Sequence, residues 1–203
     1  MSKIKENSGV LVQGHIKIHD PESGAVFVNK RNAIHYENMS IALAESVANQ
    51  GQGFISSMAF GNGGTSVDPT GIITYLTPNS TGTNASLYNQ TFTKIVDDRS
   101  VSNLDPQRNK IETRHVNGTN YTDVVVTWLL DYGEPNGQDA TDTASASDSL
   151  YVFDELGLVS YASSGTGKLL THVIFHPVQK SLNRLIQIDY TVRVQSLTGF
   201  NEG

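Results

Sequence analysis

Residues 185–195 alternate with period two. Ile186, Ile188, Tyr190, Val192 and Val194 fall on one face, and Gln187, Asp189, Thr191, Arg193 and Gln195 on the other. Only a half-buried β-strand gives this pattern, because successive side chains of a strand point to opposite faces. The same period recurs at Ile16 and Ile18, set between His15, Lys17 and His19, and resumes at Val26 and Val28 after Asp20-Pro21-Glu22-Ser23-Gly24. That spacing predicts a hairpin. Strands are also expected over 54–60, 72–76, 88–96, 111–115, 123–130 and 169–175, the last ended by Pro177. A further hairpin is expected over 150–161, turning at Asp154-Glu155-Leu156-Gly157. Residues 124–130 are apolar on both faces (Val124, Val126, Trp128 and Leu130 against Val125 and Leu129), which marks a central strand.

One segment breaks the pattern. Met39, Ile41, Leu43, Ala44, Val47 and Ala48 form a broad apolar face, predicting a helix over about residues 33–50. Asn32 or Asn38 is the expected cap, and Gly51 the stop. A helix this apolar packs across an open sheet face or a barrel mouth. The expected fold is mainly β: an antiparallel β-sandwich or partly open barrel with one packed helix and long loops. The apolar content of 37% and the charged content of 17% leave room for Gly, Ser, Thr and Asn, which suits short strands joined by turns. A single β-rich domain spanning 1–203 is expected, with a flexible arm at 1–9 and an acidic loop insertion at 133–149.

Composition narrows the function classes. There is no cysteine, so neither a disulfide framework nor a thiolate metal site is available. That fits synthesis in a reducing cytoplasm. No apolar run follows Met1, and no stretch approaches ~18 apolar residues, so neither a signal peptide nor a membrane helix is expected. The six Asn-x-Ser/Thr sequons, at Asn38, Asn79, Asn84, Asn89, Asn117 and Asn120, then read as by-products of Asn/Thr-rich loops. The net charge of −6 arises in residues 61–150, which hold five basic and eleven acidic groups. Asp131 to Glu155 contains seven carboxylates and no Lys or Arg. No basic footprint for sequence-specific nucleic-acid binding is visible.

Several motifs invite chemistry and fall short of it. Residues 162–169, ASSGTGKL, resemble a phosphate loop. However, Ala162 stands where the first Gly belongs, Leu169 follows Lys168, and a strand follows instead of a helix. His15/His19 and His172/His176 have the spacing of a helical metal pair. On strands, positions four apart stand ~13 Å from one another, beyond a single metal. Only a site assembled from different strands is left open. Asp139, Asp142, Asp148, Asp154 and Glu155 lack the calcium-loop spacing and are expected to form a solvated acidic loop. No Gly-x-Ser-x-Gly elbow occurs, and no enzyme activity or cofactor is expected.

The stretch 61–65, GNGGT, offers two readings. Asn62 and the glycines suit positive φ in a sharp turn or a subunit contact; alternatively, their N–H groups form an anion nest. Gly61, Asn62, Gly63, Gly64 and Thr65, together with Asp139 and Asp142, are the candidate assembly contacts.

Three segments together carry a family resemblance: 14–65 (GHIKIHDPESGAVFVNKRNAIHYENMSIALAESVANQGQGFISSMAFGNGGT), 149–161 (SLYVFDELGLVSY) and 169–195 (LLTHVIFHPVQKSLNRLIQIDYTVRVQ). They resemble virion structural proteins of contractile-tailed bacteriophages and cover about 90 of the 203 residues. The resemblance implies a neck or collar subunit at the head-to-tail connection. It further implies a homo-oligomeric ring whose partners are other virion proteins (neck, portal-adaptor, tail or fibre proteins). The chain would be made in the host bacterial cytoplasm and located on the virion. A capsid decoration or cement protein, and a carbohydrate-binding fibre or collar module using Tyr75, Tyr88, Tyr121 or Tyr132, are the alternatives. Trp128 is expected to be buried.

Overall fold

A computed structural model describes residues 5–135, 150–163 and 166–201, with the side chains of 5–8, 150 and 198–201 left aside. The chain is mainly β. Its strands are β1 (Lys5–His19), β2 (Val26–Ile34), β3 (Ile55–Gly61), β4 (Thr65–Val67), β5 (Ile73–Tyr75), β6 (Gln90–Ile95), β7 (Lys110–His115), β8 (Tyr121–Leu130), β9 (Leu150–Ser160), β10 (Thr171–Ser181) and β11 (Ile186–Asn201), with α1 (Tyr36–Val47) between β2 and β3. Nine strands form one antiparallel sheet in the order β6-β3-β9-β10-β2-β1-β11-β8-β7, and β4 and β5 form a separate small hairpin. The large sheet curls into a half-barrel, the partly open barrel among the expected architectures.

The alternation read from the sequence sets the inside of this curl. Ile16, Ile18, Ile186, Ile188, Tyr190 and Val192 are buried on the inner face, joined by Val126, Trp128 and Leu130 from β8 and by Phe60, Phe153, Leu156 and Leu158 from β3 and β9. The two ends of the sheet, β6 and β7, do not pair with each other. Side chains close the seam instead. Trp128 of β8 lies 4.2 Å from Phe60 of β3 and 6.4 Å from Phe92 of β6, centroid to centroid. Lys94 of β6 donates to the Leu129 carbonyl at 2.9 Å and also meets Glu134.

The helix is shorter than expected. Asn32 to Ile34 belong to β2, and His35 is the N-cap, its Nδ1 accepting from the Asn38 N–H at 3.2 Å. Beyond the Ala48 C-cap, Asn49 and Gly51 take positive φ (52° and 69°), which turns the chain out of the helix. Met39 and Ala42 of α1 join the main core under the open end of the half-barrel.

Three other expectations are corrected. Residues 5–9, expected as part of a free arm, are strand and pair with 197–201. Residues 150–160 are one continuous strand with no hairpin turn. β10 runs through Pro177 to Ser181, and its register against β9 shifts between Ile174 and Val178. A bulge of this kind is where a sheet tolerates proline, since no ladder N–H is needed there.

Candidate functional site

Asp154 and Glu155 are the most unusual side chains in the chain. Both are buried, at 3% and 0% exposure, in the middle of β9. Phe153 and Leu156 both reach the main core, so the strand changes face across the two carboxylates between them. That change of parity hides the strand from a period-two reading. It also places Glu155 beneath the segment 61–89, which lies over β9 and β10.

The carboxylates are held by that segment's backbone. Glu155 Oε1 accepts from the N–H of Gly63 (3.1 Å) and of Asn89 (2.8 Å). Its Oε2 accepts from the N–H of Tyr88 at 3.0 Å and meets His172 Nε2 at 2.9 Å. Asp154 accepts from the N–H of Gly64 (2.9 Å) and of Thr65 (2.8 Å), and from the Thr65 hydroxyl. The GNGGT stretch is thus an anion nest whose anions are the chain's own side chains. His172 completes it. Its Nδ1 accepts from the Asn79 N–H at 2.8 Å, so the proton sits on Nε2 and is donated to Glu155.

Burial alone would raise the Glu155 carboxyl above its ordinary value. The His172 contact and the N–H groups of Asn89, Tyr88 and Gly63 outweigh it and hold the group below that value. Glu155 is therefore a carboxylate at neutral pH. Seven donors converge on two acids, so the chemistry here is cross-linking: one strand is tied to two distant loops.

Gly61, Asn62, Gly63, Gly64 and Thr65 are buried or half-buried. Positive φ is not why the glycines are there, since none of Gly61, Gly63 and Gly64 adopts it. Close approach is the reason. A Cβ on Gly61 would stand 2.5 Å from the Asn89 carbonyl oxygen and overlap Glu155 Oε1, and one on Gly63 would stand 2.8 Å from Asn89 N. Gly61→Ala should therefore cost about 2 kcal/mol, because a backbone carbonyl must shift to admit the methyl. Urea denaturation of the variant checks this, and an unchanged midpoint would show that the loop yields freely.

The expected solvated acidic loop is corrected on the same evidence. Asp154 and Glu155 do not belong to it. Asp131 pairs with Arg108 at 2.5 Å and Glu134 with Lys94, so these acids are matched by bases that are distant in sequence. Asp139, Asp142 and Asp148 lie outside the described residues. Both histidine pairs sit on strands, β1 and β10. His19 meets Asp189 at 3.0 Å, and His176 meets the Tyr75 hydroxyl at 3.3 Å, so His172 and His176 serve different partners. Among the described residues, no three His, Asp or Glu converge as a metal site, and no helix is long and apolar enough to cross a membrane. Tyr75, Tyr88 and Tyr132 are exposed, and Trp128 is buried as expected.

A second feature was invisible in the sequence. The open end of the half-barrel is a cavity of about 410 Å³ between α1 and the inner face of β7, β8 and β11. Met39, Leu43, Ile111, Val124, Val192 and Val194 give it apolar lining, and Asp97, Asp98 and Arg99 also line it.

In comparison with known proteins, the chain matches no family model, no curated protein and no solved structure.

Proposed function

We propose that this chain is a structural subunit of a tailed-bacteriophage virion, placed at the neck or collar and assembled through protein–protein contacts. The resemblance of residues 14–65, 149–161 and 169–195 to that family is the source of the reading. The physical observation that carries it is the distribution of polar and apolar groups. The glycine loop and the buried acids satisfy one another, while apolar groups stand exposed where the β1–β11 pair outruns the sheet. Val10 is 62% exposed, Leu11 36% and Leu197 44%. Buried polar networks that rigidify a subunit, beside apolar surface at its extremity, suit a part that completes itself against neighbours. In a ring, each subunit would meet the next through head-to-tail contacts.

Gold-labelled antibody against the chain, applied to intact particles and viewed by electron microscopy, tests the placement. Label confined to the head–tail junction is expected. Label over the capsid would make the chain a decoration protein, and label on the fibres would favour the glycan-binding module. Particles without label, whether intact or gently opened, would remove the virion reading.

A further inference from the structure

α1 crosses the open end of the half-barrel as a bridge tied at both ends. At its start, the His35 N–H donates to the Leu170 carbonyl and the Asn38 side-chain amide to the Leu169 carbonyl, each at 2.9 Å. At its far end, Gln52 Nε2 donates to Glu45 Oε1 at 3.0 Å. There Gly53 also approaches the helix so closely that a Cβ would stand 2.5 Å from the Ala42 carbonyl oxygen. Between these ties only Asn38, Met39 and Ala42 of the helix are buried. The space left beneath it is the cavity of about 410 Å³. Ties at both ends keep the helix off the sheet, so the cavity is preformed, as small-molecule sites usually are.

The lining specifies the ligand's chemistry. Leu43, Ile111, Val124 and Val194 are only half-buried, so an apolar body seated on them would remove further apolar surface from water. One buried polar group borders the same space. Asp97 is 7% exposed. Its Oδ1 accepts from the Arg99 N–H at 3.1 Å and from Arg99 Nε at 3.0 Å. Its Oδ2 has no hydrogen-bond partner among the described residues. A buried carboxylate oxygen normally finds a donor, and here that position is left for one from outside the chain. Asp98 adds a second, exposed carboxylate. The single base is Arg99, already engaged by Asp97 and lying 5.1 Å from the Phe54 ring centroid. Two acids against one base favour a cationic head group and disfavour an anionic one.

We infer that this cavity binds a small amphiphilic amine, its alkyl or aryl body against Leu43, Ile111, Val124 and Val194 and its ammonium donating to Asp97 Oδ2. The inference goes beyond the reading of the chain as an assembly subunit and does not depend on it.

Titration calorimetry of the full chain at neutral pH, with octylamine, octanol and octanoate as probes, tests this. The three share one apolar body and differ in the head group. Octylamine should bind with a dissociation constant below about 1 mM, and octanoate at least about tenfold more weakly. Asp97→Asn keeps Oδ1 for Arg99 and puts an N–H donor where Oδ2 stood. It should weaken octylamine about tenfold and leave octanol within about twofold. Leu43→Trp, at a half-buried site on α1, fills the cavity and should abolish binding of both probes while keeping the wild-type circular dichroism. No octylamine binding by the wild type, octanoate binding as tightly as octylamine, or octylamine binding that survives Leu43→Trp would overturn the inference. So would a folded Asp97→Asn variant that binds octylamine as the wild type does. The probe series on the wild type and the Leu43→Trp result stand without the Asp97 variant. Particle labelling is independent of all these results, so a virion protein without this site would be recognised as such.

Discussion

Glu155→Ala should lose about 4 kcal/mol of stability at neutral pH in urea denaturation. The side chain is fully buried and accepts from Gly63, Tyr88 and Asn89 while meeting His172. Removing it strands three part-buried backbone N–H groups and a buried imidazole N–H. Each orphaned donor costs about 1–3 kcal/mol, less whatever relaxation readmits water. Against a total of about 5–15 kcal/mol for a domain, the loss is a large share. Glu155→Gln keeps one acceptor oxygen and turns the other position into a donor facing donors, so it should cost about 2 kcal/mol. A loss below about 1 kcal/mol for the alanine variant would mean that the segment 61–89 is held by something else.

The same carboxylate gives a pH signature. Burial pushes its pKa up, but His172 and the backbone donors pull it further down, so the folded value lies below the ordinary 4.5. An acid with a depressed folded pKa contributes stability that is complete above its unfolded value and is lost as pH falls through the folded one. The gap in stability between the wild type and Glu155→Gln should therefore be widest near neutrality and close below pH about 4. A gap that stayed constant from neutral to acid pH would contradict an ionised Glu155 in the fold.

The half-barrel was legible because most of its strands obey a strict period. Ile16 to Ile18, Val124 to Leu130 and Ile186 to Val194 show their buried faces without any tertiary information. The nest was not legible, for a physical reason. Asp154-Glu155-Leu156-Gly157 has the composition of a turn, and local propensity favours that reading. What overrides it is a set of donors contributed from residues 63–65 and 88–89, some 66 to 92 positions away along the chain. No local pattern announces such partners. The glycines gave the only hint. GNGGT suggested an anion nest, but nothing in the stretch itself says that its anions come from β9. Pro177 misled in the same way, because a bulge that accommodates proline is a property of the strand pairing and not of the segment.

The second large effect is expected at the seam. Trp128→Ala should cost about 4 kcal/mol, read by circular dichroism because the variant lacks the only tryptophan. The ring is fully buried and reaches from β8, near one end of the sheet, to Phe60 on β3 and Phe92 on β6 at the other end. No backbone ladder joins β6 to β7, so the cavity left by the indole would open where only side chains hold the curl. Trp128→Phe discriminates between lost volume and lost polar contact. The indole N–H meets no acceptor among the described residues, so replacing it sacrifices no hydrogen bond. The phenylalanine variant should lose only about 1.5 kcal/mol, from incomplete filling. If it lost as much as the alanine variant, the indole N–H would have a partner or the ring's full width would be indispensable. If both variants lost little, the seam would be held mainly by Lys94, whose ammonium lies 5.7 Å from the ring centroid and ties β6 to the Leu129 carbonyl. Lys94→Met would then become the damaging substitution, since it keeps the aliphatic stem but leaves Glu134 and that carbonyl without their cation.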